Sequence, residues 1–331
     1  MEKSVYGVEQ IDLQVAELYK DFLPKKVFDA HMHMYCLETI PMELGKSPIY
    51  CREKATPEGY AADMAPFFPG VEEFRQNMMP MVSKIQTDLS NGLRDRGNAH
   101  ILELLKAHPE NAGCVYIMPQ DSLETIDALA SQPGIRGLKC YYYSTGRADA
   151  ESHAIGDFLP EQAWEVANAK GLPIVLHMMR PEALSDPDNF RYVCEMTHKY
   201  PNAQLVLAHC ARAFSAWTGV NAIRKLEDQG NIWFDMAAIC ESGPMMACIL
   251  KNAAKRTMWG TDYPICMHRG RVITYAGRMN WLIGDNAPTP KTTIVAESLM
   301  AFHEAAVLLN LDQTQLEDIF WNNACELFQK D

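Results

Sequence analysis

Residues 172–209 read LPIVLHMMRPEALSDPDNFRYVCEMTHKYPNAQLVLAH, and this stretch decides the fold. It opens on an apolar run, 173–176, that ends in His177, and closes on another, 205–208, that ends in His209. The segment 189–199 between them reads as a helix. Strands this short and this apolar are buried on both faces, as parallel strands covered by helices are. Strand, helix, strand is therefore the repeating unit, and it places the chain among α/β folds.

The same rhythm extends outward from this unit. Upstream lie 114–118 (CVYIM) after a helix over 98–107, and 137–142 (GLKCYY) after a helix over 123–130. The helix before residue 173 has Pro160 near its start and Gly171 just past its end, which are good boundary signals. Downstream lie 232–234 (IWF) and 258–259, and the first run is VFDA at 27–30. A second strand is expected somewhere within 78–89. Eight such runs make a (β/α)8 TIM barrel, and 331 residues accommodate one with insertions. No GxGxxG or P-loop follows the first run, which removes the usual support for a nucleotide-binding open sheet. The whole chain, 1–331, reads as one barrel domain. Residues 36–90 read as an insertion or lid after the first strand, since 36–76 is irregular with prolines at 41, 48, 57, 66 and 69.

A formal net charge of -12 argues against nucleic-acid or anionic-membrane partners, which need a basic face. No apolar stretch approaches the length of a transmembrane helix, and the first ten residues lack the apolar core of a signal peptide. The ten cysteines are scattered with no CxxC pair and read as reduced thiols of a cytoplasmic protein.

Chemistry is suggested by where the histidines fall. His31 and His33 close the first run (VFDAHMH), His177 and His209 each end a later one, and Asp262 ends MWGTD. In a barrel these positions share the rim where catalytic groups project. Each residue alone has a plain structural role, as a hydrogen-bonded core histidine or a turn aspartate. Their common placement is what makes them a site. Residues two apart on a strand point to one side, so His31 and His33 can chelate one ion, with His177 as a third nitrogen. Nitrogens with one carboxylate suit a divalent ion, Zn²⁺ first, with Mn²⁺, Fe²⁺ or Co²⁺ also possible. Asp262 could carry the proton of an attacking water, with His209 binding a substrate oxygen or sharing that transfer. Arg180, Arg212, Arg269 and Arg271 follow the strand-end residues and are candidate carboxylate readers, or else partners of nearby acids. Tyr141 heads a tyrosine run after the fourth strand and is a further candidate substrate contact.

These residues carry a resemblance. DAHMH (29–33), IRGLKCY (135–141), LPIVLH (172–177), YPNAQLVLAHC (200–210), MWGTDYP (258–264) and IFWNNACELF (319–328) together resemble the amidohydrolase superfamily. The likeness is to its amidohydrolase-2 branch, which includes the aminocarboxymuconate-semialdehyde decarboxylases. The resemblance implies one metal held by His31, His33, His177 and Asp262, with His209 catalytic. Superfamily members with two metals bridge them through a carboxylated lysine on strand four, where Lys139 stands. Cys325 and Glu326 depart from the arginine common in the terminal helix, and the 36–76 stretch has no assignable counterpart.

The branch divides between hydrolases of lactones, amides or esters and non-oxidative decarboxylases of aromatic or unsaturated acids. Several of the decarboxylases replace the first histidine by glutamate, so HMH leans towards a hydrolase acting on a small, carboxylated substrate. A metal-free binding barrel is the other class, against which the intact His/Asp set argues. A homo-oligomer is common for such barrels.

Overall fold

Eight strands pair side by side, all parallel and in chain order. They are β1 (Lys26–Met34), β2 (Glu73–Pro80), β3 (Ala112–Ile117), β4 (Ile135–Cys140), β5 (Pro173–Leu176), β6 (Gln204–Leu207), β7 (Ile232–Asp235) and β8 (Thr257–Met258). Helices return the chain between most of them, which gives the (β/α)8 barrel. The structure is a computed structural model describing residues 3–40, 46–82, 92–147, 149–227, 230–284 and 290–329.

Alternation along each strand sorts the core into two layers. Val175 of β5 and Val206 of β6 join Phe28, Met79, Trp233 and Met258 inside the barrel. Their neighbours Ile174, Leu176, Leu205 and Leu207 belong to the larger layer between sheet and helices. The period of two on a strand buried on both faces has this consequence. The C-terminal helix Asn323–Phe328 adds Ala324, Leu327 and Phe328 to the inner layer. Gln329 just beyond it bonds Arg75 in β2 and the Glu110 carbonyl ahead of β3, so this helix plugs the end opposite the histidines.

The strand ladders end at β8, and the seam with β1 is closed by three further backbone bonds. Ala30 N–H donates to the Trp259 carbonyl (3.0 Å), Asp262 N–H to that of His31 (2.7 Å), and His33 N–H to that of Tyr263 (2.7 Å). Buried Asp29 braces the seam, accepting from the N–H groups of His31 and Thr261, from the Thr261 hydroxyl and from the Tyr60 hydroxyl. Burial pushes the Asp29 carboxyl up to about 7 against those donors. Gly260 is required here: a Cβ at that position would lie 2.9 Å from His31 Cβ and 3.2 Å from His31 N.

Three features add to or correct the sequence reading, which leaves short helices in 36–76 open. The second strand is β2 at Glu73–Pro80, earlier than the expected 78–89, and residues 83–89 of that range lie outside the described residues. Polar residues interrupt its apolar pattern: Gln76 and Asn77 are both buried, with the Gln76 backbone N–H donating to Asn111 Oδ1 and the Asn77 side-chain amide donating to the Ala30 carbonyl. An apolar count passes over such a strand. The 36–76 stretch also holds a helix, Pro57–Met64, with Thr56 capping the Gly59 N–H. After β8 comes an antiparallel ribbon, β9 (Gly270–Tyr275) and β10 (Arg278–Ile283), that the strand count did not include. Ala276 and Gly277, both at positive φ, make its two-residue turn.

The seam gives a testable consequence. Gly260→Ala should cost about 1–3 kcal/mol of stability by overpacking β8 against His31. An unchanged urea midpoint with an unchanged slope would contradict the tight contact.

Candidate active site

β1 carries a bulge between Asp29 and Met32, where the register against β2 shifts. His31 and His33 follow on the stretch that meets β8, with ring centroids 5.2 Å apart and planes at 84°. Their Nε2 atoms both approach Asp262 Oδ1, at 3.7 Å for His31 and 3.1 Å for His33. His31, His33 and Asp262 therefore form one close donor set. A second comprises His31, His209 and Asp235.

Hydrogen-bond partners fix the tautomers. His31 Nδ1 lies 2.8 Å from Asp235 Oδ2, an acceptor, so Nδ1 carries the proton. His31 Nε2 is then a bare lone pair, buried with no hydrogen-bond partner. His209 Nδ1 donates to the Ala237 carbonyl at 2.8 Å, which leaves its Nε2 as the acceptor facing His177 Nδ1 at 3.0 Å. His33 Nδ1 meets the Tyr141 hydroxyl at 3.1 Å. An orphaned nitrogen beside a second imidazole and a carboxylate is a donor set that fits a divalent ion.

Burial and neighbouring charges set the protonation states. Burial pushes His31 down to about 4, against the pull of Asp235, so the ring is neutral near pH 7. Burial likewise lowers His33 and His177, the latter well below its ordinary value, with His209 and Arg212 adding to its drop. Burial alone would raise both Asp235 and Asp262. The rings of His31 and His33 respectively outweigh it and hold the two carboxyls below their usual range. Neutral imidazoles facing ionised carboxylates are the state a metal requires of its ligands.

His209 to Arg212 all have φ between 50° and 60°, a left-handed turn without glycine. Such backbone costs roughly 1–2 kcal/mol per residue and persists only where its surroundings fix it. Asp235 Oδ1 does so by taking the His209 N–H at 2.9 Å, while the His209 carbonyl takes the Ala213 N–H at 2.9 Å. Asp262 is also left-handed, at φ 62°.

These groups floor a cavity of about 320 Å³. His177, His209 and Lys139 join His31, His33 and Asp262 there, and Ile40, Ile49, Tyr50, Met81, Val82, Tyr143 and Ile265 form apolar walls. Tyr141 lines it too, its ring stacked on that of Tyr143 at 5.7 Å.

The structure thus brings His31, His33, His177, His209, Asp262 and Tyr141 to one cavity, although His177 belongs to neither close donor set. It does not bring the arginines there. Arg180 pairs with Asp186 and Asp188 and borders a separate cavity with Arg212. Arg212 donates to the Arg180 carbonyl at 3.1 Å. Arg269 pairs with Glu9 and Asp12 and ties down the N-terminal helix. Arg271 bonds the Cys240 carbonyl and faces Glu297 at 3.6 Å. Asp235 and most of the apolar walls were missed from sequence. Asp235 ends the run IWFD as His177 ends PIVLH, so its signal was present; Ile40, Ile49 and Tyr50 come from the irregular 36–76 stretch and carried none, while Met81 and Val82 follow β2 and Tyr143 belongs to the tyrosine run after β4.

A family model described as Amidohydrolase matches residues 28–330. Among solved structures, 5-carboxyvanillate decarboxylase from Sphingomonas paucimobilis is similar at 13% identity and TM-score 0.61, covering 93% of this chain and 100% of its own. An amidohydrolase from Burkholderia multivorans with bound Zn is similar at 13% identity and TM-score 0.60, covering 92% and 99%. A 5-carboxyvanillate decarboxylase from Novosphingobium aromaticivorans, complexed with manganese and a nitrobenzoic acid, is similar at 14% identity and TM-score 0.58, covering all of both chains. No curated protein matches the chain by sequence. No helix among the described residues is long and apolar enough to cross a membrane.

Asp235 orients His31 without entering the His31–His33–Asp262 set. Asp235→Ala should therefore weaken Zn²⁺ affinity by about 10–100-fold while the three donors remain. Chelator competition measures this, and an unaltered affinity would show that the carboxylate does not orient the ring.

Proposed function

Because the chain belongs to the amidohydrolase family, matched over residues 28–330, we propose that it is a metal-dependent hydrolase of small lactones, esters or amides. The observation that carries this reading is the orphaned, buried Nε2 of His31 beside His33 and Asp262, under an apolar cavity of about 320 Å³. His31, His33 and Asp262 would hold one divalent ion, with His177 as the further ligand and Zn²⁺ as the first expectation. The ion supplies Lewis acidity towards a carbonyl and lowers the pKa of water.

The chain's own residues do the rest. Asp262 accepts the proton of the attacking water and returns it to the leaving oxygen or nitrogen. His209 is anchored through Nδ1 to the Ala237 carbonyl, so only Nε2 is free to take or share a proton. The Tyr141 hydroxyl keeps the His33 ring turned towards Asp262. Ile40, Ile49, Tyr50, Met81 and Val82 shield the reaction from bulk water; they flank β2, which is a barrel strand and so divides the 36–90 range read from sequence as one insertion. The cavity suits a single-ring substrate.

A second reading is non-oxidative decarboxylation of an aromatic or unsaturated acid, with Asp262 protonating the carbon that loses CO₂. The aromatic and aliphatic walls favour it, because they suit a planar ring and a reaction that disperses carboxylate charge.

Metal-loaded protein incubated with aryl esters, lactones, anilides and hydroxybenzoates should yield acid and alcohol or amine from the first three groups. CO₂ release without hydrolysis would replace the hydrolase reading by the second. His209→Asn should lower kcat by about 10²–10⁴-fold with bound metal unchanged. His177→Ala should lose metal, read by elemental analysis; a variant that keeps its metal would remove His177 from the ligand set. Zn²⁺ at 100 times its Kd should raise stability by about 2.7 kcal/mol, and His33→Ala should abolish that gain.

A further inference from the structure

Lys139 is the buried cation of the cavity. It lies near the end of β4 at 1% exposure and lines the cavity beside the histidines. Among the described residues no carboxylate stands within ion-pair distance of it. The recorded neighbour of its ammonium is the Tyr141 ring, with Nζ 5.0 Å from the centroid. Asp235 and Asp262 act on it from beyond pairing range, and both are engaged by histidines. Among the described residues, no arginine and no other lysine lines the cavity.

An ammonium taken out of water without a counter-ion costs several kcal/mol, and a cation over an aromatic face recovers only part of that. The arrangement is favourable once an anion enters.

We propose that Lys139 reads the anionic end of the substrate, so that the site takes small monocarboxylic acids with the carboxylate down at the barrel floor and a planar apolar body between the walls. This rests on the reading of the cavity as the active site, and it names the substrate class that site admits. Arg180 and Arg212 border another cavity and Arg269 and Arg271 hold acids and carbonyls elsewhere, so recognition of the carboxylate passes from the arginines to a lysine inside the barrel. A single ammonium offers point-charge recognition of one carboxylate, without the bidentate fork that a guanidinium gives. Tyr50, Tyr141 and Tyr143 present rings to a planar body, and Ile40, Ile49 and Ile265 exclude a second charge from the part of the wall they form.

Benzoate and benzamide are nearly the same shape and differ in charge; the divalent ion also favours the anion, so the change in their affinity ratio on replacing Lys139 isolates the lysine. Calorimetric titration of the metal-loaded protein should give benzoate about tenfold or more tighter binding than benzamide. In Lys139→Met, and in Lys139→Gln as a second variant, that ratio should fall about tenfold with metal content by elemental analysis unchanged. A ratio near one in the wild type, or a ratio unmoved by either substitution, overturns the proposal. So does a carbamate signal in the carbon-13 spectrum of wild-type protein given labelled bicarbonate, or loss of metal in both variants, since either would make Lys139 a metal-site residue. The ratio needs no turnover: if it behaves as expected while no ester, lactone, amide or acid is consumed, the assignment of Lys139 stands and the proposed reaction fails.

Discussion

The carboxylate of Asp235 takes three donors at once: the His31 ring through Oδ2, and the backbone N–H groups of His209 and Ala237 through Oδ1. One end of this contact fixes which nitrogen of His31 is bare. The other holds the left-handed turn from which His209 projects. Ala237, drawn in by the same carboxylate, offers the carbonyl that fixes the tautomer of His209. A single buried acid on β7 thus sets the geometry and protonation of residues on β1 and after β6. Its own ionisation depends on them, because burial without the two histidines would favour the neutral acid.

The seam between β1 and β8 supplies the other half of the site. His31 and His33 exchange backbone hydrogen bonds with the segment that carries Asp262 and Tyr263, so both sides of the donor set share one ladder. Side chains mounted on paired strands are held more closely than side chains on loops. Gly260 lets the two backbones approach, and Asp29 satisfies the donors that the bulge and turn leave over.

Charge is partitioned between two places. Two of the arginines that follow the strand ends are consumed outside the cavity, Arg180 by Asp186 and Asp188 and Arg269 by Asp12 and Glu9. Inside it stand His31, His33 and His177, their pKa values all lowered by burial, an ionised Asp262 and Lys139. An acidic chain can keep a receptive floor for an anion because the cation lies at the end of a barrel strand, out of reach of surface carboxylates.

The sequence by itself determined the alternation of buried strands and helices, and hence the barrel. It also determined that His31, His33, His177, His209 and Asp262 share a rim, because a residue ending a parallel strand has one place to be. Asp235 obeyed the same rule, but an aspartate ending an apolar run has no reason to stand out until its partners are known; Lys139 stood out through the family resemblance alone, and as a possible metal bridge. Tertiary structure alone decided what the long side chains do. An arginine reaches whichever acid the fold brings near, and those acids lie far away in sequence, as Asp12 does from Arg269. It also decided the position of β2, where Asn111 accepts the Gln76 backbone N–H and the buried Asn77 amide donates to the Ala30 carbonyl, contacts that leave no mark in an apolar pattern. The walls of the cavity were decided the same way, since Ile40, Ile49 and Tyr50 come from a stretch without periodicity and acquire their role only by folding over the barrel mouth.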